Sequence, residues 1–255
     1  MKITVLGSGT SQGVPVIACS CDVCLSDNQK DKRLRSSVMI EVDGQTIVVD
    51  TGPDFRQQML RENILKVDAI LFTHEHKDHI AGMDDVRAFN HKWKKDMEIF
   101  ATKRVGDALK REFHYVFSGD DYPGIPRVNI NTISNTPFKI NETEIIPIEV
   151  MHYKMPVFGF RIQDFVYITD VSYISEKEKE KIKNTDLLII DALRKKKHIS
   201  HFALDDALKL IEEVKPNKAL FTHISHFMGS HDDLIKELPE NISPAFDGQT
   251  ILLNE

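Results

Sequence analysis

Cysteine is scarce, with three in 255 residues, an odd number that cannot pair off into a disulfide framework. Glycine and proline are sparse too, at 12 and 10, which excludes a low-complexity chain. No apolar stretch approaches the roughly 18 residues that a membrane-spanning helix needs. The start, Met-Lys-Ile-Thr-Val-Leu-Gly, places Gly7 too soon after its one lysine for a secretory leader, whose apolar region runs about 7–15 residues. The expected compartment is therefore the cytoplasm, where thiols stay reduced and clustered cysteines bind metal more often than one another. Positive charge is not in excess: 33 Lys and Arg stand against 39 Asp and Glu, a formal charge of −6. That balance disfavours a general binder of nucleic acid or of anionic membrane. At 41% hydrophobic and 28% charged residues, the composition is that of a globular chain. What the chain does hold is histidine, eleven of them.

Neither a repeat nor a Ser/Gly linker divides the sequence, and one domain over 1–255 is expected. Short β-branched runs predict strands at Ile3–Leu6, Ser37–Val42, Thr46–Val49, Ala69–Phe72, Ile145–Val150, Val157–Ile162, Phe165–Ile168, Leu187–Ile190 and Ala219–Phe221. Asp43-Gly44 between two of these reads as a hairpin turn. Helices are predicted over Asp54–Glu62, Asp84–Asn90, Lys103–Phe117, Glu176–Lys183 and Leu204–Val214. Ser118 to Pro137, rich in Gly, Pro and Asn, reads as a loop or an insertion. Hairpins first, then strands alternating with helices, imply an α/β or α+β layered fold with sheet buried between helices.

The strongest local signal is Thr73-His74-Glu75-His76-Lys77-Asp78-His79, directly after the apolar run Ala69–Phe72. His74 and His76, two apart in an extended loop, can face one ion, and Asp78 and His79 lie beyond a turn where they can face a second. Zinc and manganese both accept imidazole and carboxylate. A separate cluster, Cys19-x-Cys21-x-x-Cys24, brings three thiols within six residues. That suits one tetrahedral structural zinc with a distant fourth ligand, for which His226 in Thr222-His223-Ile224-Ser225-His226 is the natural choice.

The pattern His-x-His-x-Asp-His followed by Ile80-Ala81-Gly82 resembles the signature loop of metallo-β-lactamase-fold hydrolases. The resemblance implies a four-layer αββα sandwich. It also implies two divalent ions, zinc or manganese: His74, His76 and His152 on one, Asp78, His79 and His223 on the other, Asp170 bridging. Asp50, closing Thr46–Val49, would sit behind the ligands and orient an imidazole. Gly7-Ser8-Gly9-Thr10-Ser11-Gln12-Gly13-Val14-Pro15, the cysteine cluster and Thr-His-Ile-Ser-His resemble one branch of that fold. That branch contains the phosphoribosyl cyclic-phosphate phosphodiesterase of phosphonate breakdown. In it a histidine shortly before a helix lines the site. His201 matches, ahead of Leu204–Val214, with Asp191 to orient it. Asp78 and His201 are thus the residues expected to take part in the chemistry, and Lys154 could meet an anionic substrate.

The expected reaction is hydrolysis of a phosphodiester, a small cyclic phosphate or nucleotide-like ester, by water activated at the ion pair. The alternatives on the same fold are an RNA- or DNA-processing nuclease related to tRNA 3′-endonucleases and a thioester or lactone hydrolase. The first lacks a basic arm here, and the second has no need of the cysteine cluster. The resemblance leaves room for a homodimer and calls for no membrane. It is weakest between about Phe89 and Pro137, where no motif stands out.

Overall fold

The computed structural model describes residues 1–119 and 124–253. Within them the strands are β1 (Lys2–Gly7), β2 (Ser37–Val42), β3 (Gln45–Val49), β4 (Ala69–Leu71), β5 (Met97–Thr102), β6 (Val128–Ile133), β7 (Phe138–Ile140), β8 (Thr143–His152), β9 (Met155–Ile162), β10 (Phe165–Ile168), β11 (Tyr173–Ile174), β12 (Leu187–Asp191), β13 (Lys218–Thr222), β14 (Ile242–Pro244) and β15 (Thr250–Leu252). The helices are α1 (Asp22–Leu25), α2 (Phe55–Arg61), α3 (Lys77–Ile80), α4 (Arg87–Trp93), α5 (Lys103–Glu112), α6 (Glu176–Glu180), α7 (Leu204–Val214) and α8 (His231–Glu237). One sheet runs β15-β1-β2-β3-β4-β5-β6, and the other runs β11-β8-β9-β10-β12-β13-β14 with β7 beside β8. Both are mixed: β3 through β6 are parallel neighbours, as are β10, β12, β13 and β14.

Side-chain alternation explains the layers. In β2, Val38, Ile40 and Val42 join the apolar cluster between the sheets, while Met39 joins the cluster under α2, α4 and α5. Leu187 and Ile189 of β12 likewise face the inter-sheet core, and Leu188 and Ile190 face α7 and α8. Because both faces of these strands are buried, they read as continuous apolar runs. The result is the four-layer αββα metallo-β-lactamase sandwich. The carboxyl ends of the parallel strands emerge together at one rim of the two sheets, and the polar residues collect there.

Several expectations need correction. The helix predicted over Lys103–Phe117 ends at Glu112, followed by a tight 3₁₀ turn at His114–Val116. The one predicted over Glu176–Lys183 ends at Glu180, and Asp84–Asn90 divides into a 3₁₀ turn, Met83–Val86, and α4. The segment expected as a loop, Ser118 to Pro137, contains β6, and its Pro123 lies outside the described residues. Strands β5, β7, β11, β14 and β15 and helix α8 were not predicted. Among the described residues no helix is long and apolar enough to cross a membrane.

Candidate metal centre

Each strand end at the rim delivers a polar residue. Asp50 follows β3, Thr73 and His74 follow β4, His152 closes β8, Asp170 follows β10, Asp191 ends β12 and His223 follows β13. Asp50, Asp170 and His223 all adopt left-handed backbone, at φ 64°, 53° and 56°. This conformation is disfavoured for residues with a Cβ and tends to persist at functional sites. The loop with the remaining donors is locked down by backbone: Thr51 N–H donates to His79 O at 2.8 Å and Gly82 N–H to Thr51 O at 2.8 Å. The approach is so close that a Cβ on Gly52 would lie 2.2 Å from the Asp78 carbonyl oxygen.

Two donor groups result. His74, His76, His152 and Asp170 place one ligand atom each within 4.8 Å of one another, and so do Asp78, His79, Asp170 and His223. Asp170 belongs to both, at the place where the resemblance implies a bridging carboxylate. A third group, Cys19, Cys21, Cys24 and His226, converges as expected, with the three Sγ atoms at 3.2, 3.3 and 3.4 Å from His226 Nδ1.

Outer contacts aim the imidazoles. His79 Nδ1 donates to Asp50 Oδ2 at 2.7 Å, and Asp50 also accepts from Thr73 N–H and Thr73 Oγ1 at 2.9 and 2.8 Å. His152 Nδ1 donates to Ser200 O at 2.7 Å. The opposite nitrogens then face the donor groups. His201 Nδ1 lies 2.9 Å from Asp191 Oδ2, which also accepts from Val171 N–H at 3.0 Å. Sequence reasoning left His198 without a role. Its ring centre is 5.2 Å from that of His201. The signal was there, two histidines three apart, but nothing local tells which of them turns inward.

The electrostatics are those of a cation site. Burial works to raise the carboxyl of Asp78, but His79 and His223 overcome it and hold the group far below the ordinary carboxylate range. Asp170 is lowered in the same way, against its burial, by His223 and His79. Burial also opposes the proton on His79, yet Asp78, Asp170 and Asp50 push it well up. Burial lowers His74, with His79 adding to the effect. His201 is raised to about 9, because Asp191 and the other carboxylates outweigh burial. A divalent ion would supply positive charge that His79 and His201 otherwise carry. Fit is also visible atom by atom. His79 Nε2 lies 3.0 Å from Asp78 Oδ2 and 3.2 Å from Asp170 Oδ2. It nevertheless makes no hydrogen bond, and both ring nitrogens of His223 are buried without one. Buried polar atoms rarely stay unpaired unless an ion or water serves them. The residues present fit a dinuclear centre.

The model of a family described as the β-lactamase superfamily domain matches residues 45–224. The chain belongs to this superfamily. It is similar in structure to a member solved as "a New Diphosphatase from the PhnP Family", at 38% identity and a TM-score of 0.93 over 99% of this chain and 98% of that one. It is 36% identical to an octanoyltransferase of Porphyromonas gingivalis along its whole length, but covers 52% of that protein. The chain thus spans about half the length of that curated relative. Human tRNase Z, short form, shares the superfamily fold at 19% identity and a TM-score of 0.71 over the full length of both. The chain thus carries the metallo-β-lactamase fold with two donor groups that suit metal ions.

Proposed function

We propose that the chain hydrolyses phosphodiesters of small, cyclic or nucleotide-like substrates. The observation that carries this reading is Asp170. One carboxylate stands in both donor groups, with the His201–Asp191 pair beside them. His74, His76 and His152 would hold one divalent ion, and Asp78, His79 and His223 the other. Zinc and manganese both suit such ligands. When bound, such a pair supplies Lewis acidity for phosphoryl oxygens and lowers the pKa of water toward neutrality. Likeness to a diphosphatase of the PhnP family supports phosphorus over carbonyl chemistry. Cys19, Cys21, Cys24 and His226 would hold a structural zinc.

The remaining work falls to the chain's own side chains. Asp50 fixes His79 so that its Nε2 lone pair faces inward. Ser200 O does the same for His152. Asp191 accepts from His201 Nδ1, which leaves Nε2 to carry the proton that a departing alkoxide oxygen takes up.

Turnover of bis(p-nitrophenyl) phosphate with added manganese or zinc tests the reading. Activity is expected, and His201→Ala should lower it by about 100-fold or more with metal content unchanged. A fully metallated protein that leaves this ester intact would overturn the proposal.

A further inference from the structure

Among the described residues, four hairpin turns place a non-glycine residue in left-handed backbone. Three use polar residues: Asp43 between β2 and β3, Asn141 between β7 and β8, and Gln163 between β9 and β10. The fourth, between β8 and β9, uses Tyr153 at φ 57°. Asp and Asn tolerate this conformation because their short polar side chains bond locally, whereas a bulky aromatic does not. Nor does packing account for the choice, since Tyr153 is 50% exposed. Neither its backbone conformation nor its packing therefore accounts for an aromatic at this turn.

Tyr153 directly follows His152, one of the donors around Asp170. Its backbone is held still, with Tyr153 N–H donating to Ser172 Oγ at 2.9 Å and Ser172 Oγ to Met151 O at 2.8 Å. The bond from His152 Nδ1 to Ser200 O, 2.7 Å, brings the next loop alongside. That loop carries Ile199, which is 70% exposed. Lys154 Nζ stands 5.2 Å from the centre of the Tyr153 ring. A half-exposed tyrosine ring with the Lys154 ammonium over it, and an exposed aliphatic residue on the next loop, thus flank His152 of the donor cluster. Flat π-systems stack on such faces, and a cation beside them answers a phosphate.

We infer that Tyr153 determines specificity by stacking a planar aromatic group of the substrate, a nucleobase joined through its sugar to the scissile phosphodiester. The inference rests on the phosphodiester reading and narrows its substrate class to esters of nucleosides. Tyr153 acts in binding, so its removal is felt in KM more than in kcat.

The test compares wild type, Tyr153→Gly and Tyr153→Phe on adenosine 2′,3′-cyclic phosphate and glycerol 1,2-cyclic phosphate, with hydrolysis followed by phosphorus NMR. Glycine suits the left-handed turn, so the truncated variant should fold at least as well. The preference of wild type for the adenosine ester, as a ratio of kcat/KM, should fall about ten-fold or more in Tyr153→Gly, through KM. Tyr153→Phe should keep it. A ratio unchanged in Tyr153→Gly, or lost equally in Tyr153→Phe, overturns the inference. Equilibrium dialysis of adenosine 5′-monophosphate against ribose 5-phosphate reads binding without turnover. Wild type should hold the nucleotide more tightly and Tyr153→Gly should not. Should wild type hydrolyse neither ester, the proposed reaction falls, and dialysis decides the inference alone: equal affinities overturn it.

Discussion

Replacing Asp50 by asparagine exchanges one oxygen for an NH₂ group and reverses the two hydrogen bonds made at that oxygen. The buried carboxylate accepts from Thr73 N–H, Thr73 Oγ1 and His79 Nδ1 at 2.9, 2.8 and 2.7 Å. Oδ1 takes the backbone N–H and Oδ2 takes the other two. In the amide, the oxygen stays on the backbone N–H and the NH₂ group replaces Oδ2. The Thr73 hydroxyl can rotate and accept. His79 can accept at Nδ1 only by moving its proton to Nε2, the atom that faces Asp78 and Asp170. A protonated Nε2 cannot ligate. Loss of an outer partner of this kind lowers metal affinity by about 10–100-fold. The folded chain itself loses one hydrogen bond to a charged group, roughly 1.5–3 kcal/mol. Equilibrium dialysis against buffered free zinc, with metal per chain read by mass spectrometry, separates these effects. One of the two rim ions should need one to two decades more free metal, while the cysteine-bound ion stays. Binding curves that superimpose on those of wild type would refute the tautomer argument.

Three further outcomes follow from other parts of the molecule. Cys24→Ser should remove one zinc per chain and leave the two rim ions. It should lower thermal stability by at least about 2 kcal/mol, or roughly 4–8 °C; an unchanged zinc content would dismiss the thiolate site. Gly52→Ala drives a Cβ to 2.2 Å from the Asp78 carbonyl oxygen. The metal loop must shift, with a loss of about 1–3 kcal/mol and of rim metal, and a melting curve identical to wild type would show that the contact is soft. His231 is lowered from 6.5 to about 4, first by burial and then by Arg33, whose guanidinium lies 3.4 Å from His231 Nδ1. A depressed folded pKa means that the unfolded chain takes up the proton first. This contribution is therefore complete above about pH 6.5 and is lost as pH falls toward 4, by on the order of 2–3 kcal/mol. Urea midpoints of wild type should fall across that window more steeply than those of His231→Phe, and parallel curves would contradict it.

The parts of this protein that were legible in its sequence are those where chemistry limits the choice of residue. His74, His76, Asp78 and His79 lie together in a set that suits an ion, and no packing rule would produce the same set. The three cysteines are legible for the same reason. His152, Asp170 and His223 are different. Each is a single residue at a strand end, and only the resemblance and the chain order pointed to them. Strands β5 and β6 had neither help. The β6 sequence Val-Asn-Ile-Asn-Thr-Ile alternates apolar residues with asparagine, which is poor in strands by itself. Its stability comes from across the sheet: Asn129 and Asn131 donate to the two carboxylate oxygens of Glu98 on β5, each at 2.8 Å. That bridge joins residues more than 30 positions apart, so no window along the chain contains it. Tyr153 meets the opposite limit. Its letter fits a strand or a hairpin equally well, and nothing in the sequence separates a tyrosine that packs from one that waits for a ligand. The distinction lies in backbone conformation and exposure, which exist only once β8 and β9 have paired. Residues chosen by bond-forming chemistry can be read from type and spacing, whereas residues chosen by shape need the fold first.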